Sequence, residues 1–317
     1  MRKFVLPALV AAASMGMYAC GGDDGGGGAA EAPSQSTSAA AFPVTVQGAS
    51  GKALTITSRP ERIVSLSPTA TEMVYAIGAG DQVEAVDDQS NFPPQAPRTK
   101  LSGFQPNVEA IAGYRPDLVL LSDNEQDVVA GLDRLSIPTL LLPAAQKLDD
   151  TYGQIELLGK ATGHPAEATA TVTKMKADID AIVAGISKRA TPLTYYHELD
   201  NTLFSVTSHT FTGEIYSLVG LKNIADKADK EGSGYPQLSA EYLVKADPDL
   251  IFLADTKCCG QSAQTLAKRS GFANLTAVKH GAVIPLDDDI AQRWGPRVVD
   301  FLRTVAAAVA KAPTPTG

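Results

Sequence analysis

NVEAIAGYRPDLVLLSD, residues 107–123, is written a second time as SAEYLVKADPDLIFLAD at residues 239–255. Set side by side, the copies share Glu109/Glu241, Pro116/Pro248, Asp117/Asp249, Leu118/Leu250, Leu121/Leu253 and Asp123/Asp255. In each, a proline without an N–H ends a short helical stretch, and the apolar run behind it lacks the alternation of a half-exposed strand. A continuous apolar run marks a strand covered on both faces, the setting of a parallel sheet. Each copy therefore reads as helix, turn and parallel strand. The copies lie too far apart for a stacked solenoid. They suit an α/β protein of two similar lobes, each with its own parallel-rich sheet.

Working outward, the 317 residues leave room for two lobes of about 120 residues each. A formal charge of −8 and the lack of a basic run argue against a nucleic-acid partner. Arg2 and Lys3 lead into FVLPALVAAASMGMYA ahead of Cys20, the shape of a secretory signal over residues 1–19. The end of that signal resembles the lipobox of bacterial lipoproteins, with Ala19 before a cysteine that would be acylated. Behind Cys20, GGDDGGGGAAEAPSQSTSAAA is too poor in apolar residues to build a core and reads as a flexible tether over residues 20–42. Cleavage at an ordinary signal site would leave Cys20 unused, but the tether begins at Cys20 itself.

The N-terminal lobe is expected over residues 43–163. FPVTVQGASGKALTI reads as an edge hairpin, RIVSL as a buried strand, and SPTATEMVYAIGAG as a helix capped by Ser67, opened by Pro68 and stopped by Gly78. DQVEAVD gives the next strand, and DQSNFPPQAPRTKLSGFQ a polar, Pro-rich loop. A linker helix is expected over residues 164–191, with Val172, Met175, Ile179, Ile182 and Ile186 on one stripe. At this length it would be a stiff strut of about 40 Å. The C-terminal lobe, residues 192–312, repeats the opening of the first: TYYHEL is followed by TFTGEIYSLVG, so that Thr71-Glu72 and Gly78 have echoes in Thr212-Gly213-Glu214 and Gly220. The loop DDDIAQRWGPR leads to a last amphipathic helix from Arg297 to Ala310, and residues 313–317 are a tail.

RIVSLSPTATEMVYAIGAG, the FPPQAP loop, SGFQPNVEAIAGYRPDLVL, the strut, TFTGEIYSLVG and RWGPR together resemble the class III, TroA-like, helical-backbone substrate-binding proteins of ABC importers, nearest their cobalamin and ferric-siderophore branch. The likeness runs over residues 59–310. It implies a monomeric receptor with one long backbone helix between the lobes and a cleft where they meet. It also implies delivery of a small-molecule metal chelate to a permease dimer with a separate cytoplasmic ATPase. With the lipid at Cys20, the protein would sit on the outer face of the bacterial cytoplasmic membrane. No resident cofactor is implied, and metal arrives only inside the chelate.

Ligands of parallel α/β sheets bind outside the carboxyl ends of the strands, so the loops after strands are the candidate walls. They supply Phe92, Phe104, Asn124, His209, Phe211, Tyr235, Asp289, Arg293 and Trp294. The resemblance puts Phe104 and the Asp289/Arg293/Trp294 group on ligand-lining loops. Phe92 and Phe104 are flanked by Pro, Gly and polar residues and are hard to bury, whereas a lone Trp is more often half-buried packing. Glu72 and Glu214 gain from their helix dipoles without any partner. The resemblance makes them, one at each lobe's apex, the carboxylates that meet permease arginines. Cys258 and Cys259 form either a vicinal disulfide or two small buried thiols.

A binding protein for cobalamin or a ferric siderophore is the leading function, and a haem receptor using His209 or a Tyr is its alternative. A bare-metal receptor would need a cluster of His and carboxylate ligands, whereas the histidines are scattered. An exported hydrolase built on Ser208, His209 and Asp200 is the rival class, without a G-x-S-x-G elbow to support it.

Overall fold

The structure, a computed structural model, describes residues 42–312 with the exception of 50, 52 and 188. The signal segment, Cys20, the tether up to residue 41 and the tail from 313 lie outside the described residues. The described chain opens with β1 (Val44–Gln47) and β2 (Ala53–Ile56), an antiparallel hairpin forming its own two-stranded sheet. There follow β3 (Ile63–Leu66), α1 (Pro68–Ala76), β4 (Val83–Val86), α2 (Val108–Gly113), β5 (Leu118–Leu121), α3 (Val128–Arg134), β6 (Thr139–Leu141) and α4 (Leu148–Thr162). After α5 (Pro165–Ala184) come β7 (Thr194–Glu198), α6 (Phe211–Leu218), β8 (Lys222–Asn223), α7 (Ala240–Ala246) and β9 (Leu250–Leu253). The chain ends through α8 (Thr256–Cys259), α9 (Ala263–Ala267), α10 (Thr276–Lys279), β10 (Val283–Pro285), α11 (Asp288–Ala291) and α12 (Val298–Lys311).

The duplicated segment forms the centre of both halves. Its two strands, β5 and β9, are buried at every position, and each lies inside a four-stranded, all-parallel sheet. The orders are β4-β3-β5-β6 and β8-β7-β9-β10, so the second sheet repeats the first strand for strand. The shared aspartate explains itself in the geometry. Asp117 accepts the backbone N–H groups of Glu61 (2.8 Å) and Arg62 (3.0 Å) at the start of β3. Asp249 accepts the N–H (2.7 Å) and hydroxyl (2.8 Å) of Thr194 at the start of β7. In each half the residue before the central strand thus fixes the register of its neighbour, at a sheet end where backbone donors would otherwise go unpaired.

Capping follows the sequence closely. The Ser67 hydroxyl accepts the N–H of Ala70 and Pro68 opens α1, while Thr210 caps α6 by accepting the N–H of Gly213. Gly78 and Gly220 end those helices with φ of 79° and 75°, the left-handed region that a side chain disfavours. The linker helix is shorter than expected. It ends at Ala184, where the Gly185 N–H bonds back to Ala181 and Ile182, leaving 20 helical residues and a rod of about 30 Å. Val172, Met175 and Ile179 are buried on its inner stripe, and it packs on α4 from the first half and α12 from the second.

Gly213 sets how closely α6 approaches the loop before it. A Cβ there would lie 2.6 Å from the Ser208 Cα and closer still to the Thr207 carbonyl oxygen, both backbone atoms that cannot swing aside. Gly213→Ala is expected to cost about 2 kcal/mol of unfolding free energy in urea, within the range for overpacked sites. An unchanged midpoint would show that α6 has slack.

Candidate functional site

Each sheet is all-parallel, so the loops after its strands leave from one edge, and the loop after β4 touches the loop after β10 across the halves. Phe92 and Phe104 follow β4, Asn124 follows β5, His209 and Phe211 follow β7, Tyr235 follows β8, and Asp289 to Trp294 follow β10. Phe104 is 77% exposed, Tyr235 52% and Phe92 39%, so bare aromatic surface is carried by loops at the strand ends of both sheets. Phe204, in the turn after β7, is also 38% exposed. Its signal in the sequence is a lone aromatic inside the polar turn NTLFSVTS.

The polar candidates meet across the halves. Asp289 accepts the Asn91 amide at 3.0 Å, and Arg293 donates to Asp289 (2.9 Å), to the Asn91 side-chain oxygen (2.9 Å) and to the Gln89 carbonyl (3.0 Å). Arg293 also donates to Glu72 at 2.9 Å, as does the Arg297 Nε. The Arg297 guanidinium lies 4.2 Å from the centre of the Phe92 ring, within cation–π range. Burial raises the pull of Glu72 on Arg297, whose affinity for its proton is held above the usual arginine range by that carboxylate despite desolvation. Asp289 is kept below the ordinary carboxylate range by Asn91, Arg293 and Lys257, which outweigh its partial burial.

Several expectations change at this point. Glu72 is not an exposed apex carboxylate. It is 3% exposed and faces two arginines of its own chain, because the segment before α12 folds back over α1. Glu214 is half-buried and accepts the N–H of Leu148, the first residue of α4, at 2.8 Å, while burial raises its proton affinity. The two glutamates are therefore related by the duplication in an unforeseen way. Each sits on the first helix of one half and receives the N-terminal end of the last helix of the other, α12 for Glu72 and α4 for Glu214. At Glu214 the carboxylate is favoured by the free N–H groups and dipole of the α4 N-terminus, whereas Glu72 is held by the guanidinium groups of Arg293 and Arg297.

Trp294 also takes the blander role. It is half-buried against the core, its indole N–H donates to Gln154 on α4 at 3.1 Å, and its carbonyl accepts the Thr151 hydroxyl at 2.8 Å. Asn124 is exposed, and its side chain accepts the N–H of Val129 at 3.0 Å to open α3. His209 is exposed and Phe211 is half-buried against the core. The residues of the hydrolase alternative are not assembled: Ser208 donates its hydroxyl to Asp226 at 2.9 Å, and Asp200 accepts the N–H of Thr202 at 2.7 Å.

The second sheet hides two ionisable groups at its strand ends. Glu198 is fully buried and held by Arg269 through two bonds of 2.6 and 2.7 Å, a bidentate pair. Asp255, the last residue of the repeated stretch, is fully buried, and neither carboxylate oxygen has a hydrogen-bond partner. Desolvation, with Glu198 nearby, pushes its pKa up to about 7. Its counterpart in the first copy, Asp123, is exposed. Cys258 and Cys259, expected as a vicinal disulfide or two buried thiols, are joined as a disulfide and are exposed in α8.

The chain matches the family model described as periplasmic binding protein over residues 63–290. It is 32% identical to an ABC transporter substrate-binding lipoprotein of Bacillus subtilis, over 84% of this chain and 86% of that one. It is 33% identical to the cobalamin-binding protein of Halobacterium salinarum, over 85% of this chain and 75% of the relative. Among solved structures, the periplasmic vitamin B12 binding protein BtuF of Vibrio cholerae superposes with a TM-score of 0.66 at 26% identity, covering 79% of this chain and 96% of that one. Two like parallel sheets and one helix packed on both halves thus find their counterpart, and the chain belongs to the periplasmic binding protein family.

Proposed function

We propose that this protein is the substrate-binding component of an ABC importer, and that its cargo is a corrinoid. The observation that carries the reading is that loops at the strand ends of both sheets carry exposed aromatics, Phe92, Phe104, Phe204 and Tyr235, while the loops after β4 and β10 meet through Asn91, Asp289 and Arg293. A large, flat, partly apolar chelate with polar substituents needs that mixture: aromatic faces for the macrocycle and a few fixed polar groups for its rim. Likeness to a cobalamin-binding relative along most of the chain supports the corrinoid over other chelates. Export through the N-terminal signal and lipid attachment at Cys20 would hold the receptor beside its permease. Lobe movement about α5 would be small, because α5 packs on both α4 and α12.

Calorimetric titration with cyanocobalamin, a ferric hydroxamate siderophore and haemin tests this. The expected outcome is a corrinoid Kd of about 1 μM or tighter, with the other two at least about a hundredfold weaker. Phe104→Ala, at the most exposed of the aromatics, is expected to weaken corrinoid binding about tenfold with no change in stability. Siderophore binding alone would overturn the corrinoid cargo. Silence with all three would overturn the chelate class.

A further inference from the structure

The adjacent cysteines lie where a change in them would be felt. Both are exposed, bonded to each other, and placed in the four-residue α8 that follows the carboxyl end of β9. So short a helix has little stability of its own. It is held from outside: the N–H groups of Thr256, Lys257 and Cys258 all donate to the Asp288 carboxylate at 2.9 Å. The Lys257 ammonium reaches Asp287 at 2.6 Å and Asp289 at 3.2 Å. Asp289 is the residue that meets Asn91 and Arg293, and Arg293 meets Glu72 on the other half. An unbroken run of charged contacts therefore leads from the residue beside the disulfide to the place where the halves touch.

We propose that Cys258 and Cys259 form a thiol–disulfide exchange site, open to a dithiol reductant, whose redox state is passed through α8 to the contact between the halves. A thiolate of the reductant attacks one of the two sulfurs, the Cys258–Cys259 bond breaks, and the departing sulfur takes a proton. The second thiolate of the reductant then attacks the mixed disulfide. It leaves as its own disulfide, and two electrons and two protons have passed to the protein as two thiols. Both cysteines are exposed residues, open to the approach of a reductant that a buried disulfide would refuse. The bond ties neighbouring residues in the last turn of α8, so its loss frees that turn and loosens the three N–H bonds to Asp288. Lys257 and Asp289 then lose their fixed spacing.

The test needs no ligand, so its failure is separable from failure of the importer reading. The folded full chain is treated with excess dithiothreitol, alkylated with iodoacetamide without denaturant, and mapped by peptide mass. Alkylation of both Cys258 and Cys259 is expected, and of neither when the reductant is left out. Amide hydrogen exchange is then compared before and after reduction. Exchange over residues 255–260 and 286–293 is expected to quicken about tenfold or more, with β3 and β5 unchanged. The double variant Cys258→Ser/Cys259→Ser should show the faster exchange from the start and no response to dithiothreitol. Sulfurs that stay unalkylated after treatment overturn the exchange site. Alkylated sulfurs with unchanged exchange over 286–293, or a variant that exchanges like the oxidised protein, overturn the transmission.

Discussion

Glu72→Ala is expected to lower the unfolding free energy by about 3 kcal/mol, the largest loss from any single charged side chain at the boundary between the halves. The carboxylate is 2% exposed and holds Arg293 and Arg297, themselves 10% and 16% exposed. Removing one member of a buried ion cluster costs more than the cluster contributes, because the partners keep their desolvation without their counter-charge; the usual range is about 3–5 kcal/mol. The lower end applies here. Arg293 retains Asp289 and Asn91, and both arginines reach some water. Glu72→Gln, which keeps an acceptor oxygen but no charge, should lose roughly half as much. Urea denaturation at neutral pH and low salt measures both. A loss below about 1 kcal/mol for the alanine variant would mean that the arginines relax freely into solvent and that the contact between the halves is not anchored at Glu72.

This glutamate also marks where the amino-acid sequence stops being legible. The repeat, its buried strands, the cap at Ser67 and the helix ends at Gly78 and Gly220 are local, so neighbours in the chain announce each of them; the cap at Thr210 is equally local, a hydroxyl three residues before Gly213. Asp117 and Asp249 were visible as a shared pair, though their purpose needed the adjacent strand. Glu72 was read as a free carboxylate because Arg293 and Arg297 are 221 and 225 residues away, and no local pattern announces a contact formed by folding one half onto the other. Trp294 failed for the same reason: its indole partner, Gln154, belongs to a helix of the other half. The linker helix was drawn too long because an apolar stripe that includes Ile186 hid the stop at Gly185. The buried Glu198 had a local signal, a carboxylate closing the apolar strand TYYHE, which implies a cationic partner such as Arg269.

Asp255→Asn is expected to stabilise the protein at pH 8 by about 2–4 kcal/mol while changing it little at pH 4, the gain growing steadily between the two. In the folded chain the Asp255 carboxyl is fully buried without a hydrogen bond, and burial together with Glu198 lifts its pKa to about 7 from an ordinary 3.8. Between those two values the folded state holds a proton that the unfolded chain releases. Stability from this group is therefore complete below about pH 4 and is lost as pH rises through 7. Each unit of difference is worth about 1.4 kcal/mol, which sets the upper end of the expected gain. The amide keeps the shape of the protonated acid and cannot ionise. His197 acts in the opposite direction. It is fully buried, its Nδ1 lies 2.8 Å from the Tyr216 hydroxyl, and desolvation lowers its pKa to about 3. Its stability is present above about pH 6.5 and is lost as pH falls toward 3. The parent protein should therefore be most stable in weak acid, and the variant should carry that maximum upward into mild alkali. Denaturation midpoints from pH 4 to pH 9 for both proteins would show the divergence. Parallel curves across that range would mean that Asp255 is ionised in the folded state at low cost, with a neutralising partner reaching it that its buried surroundings do not provide.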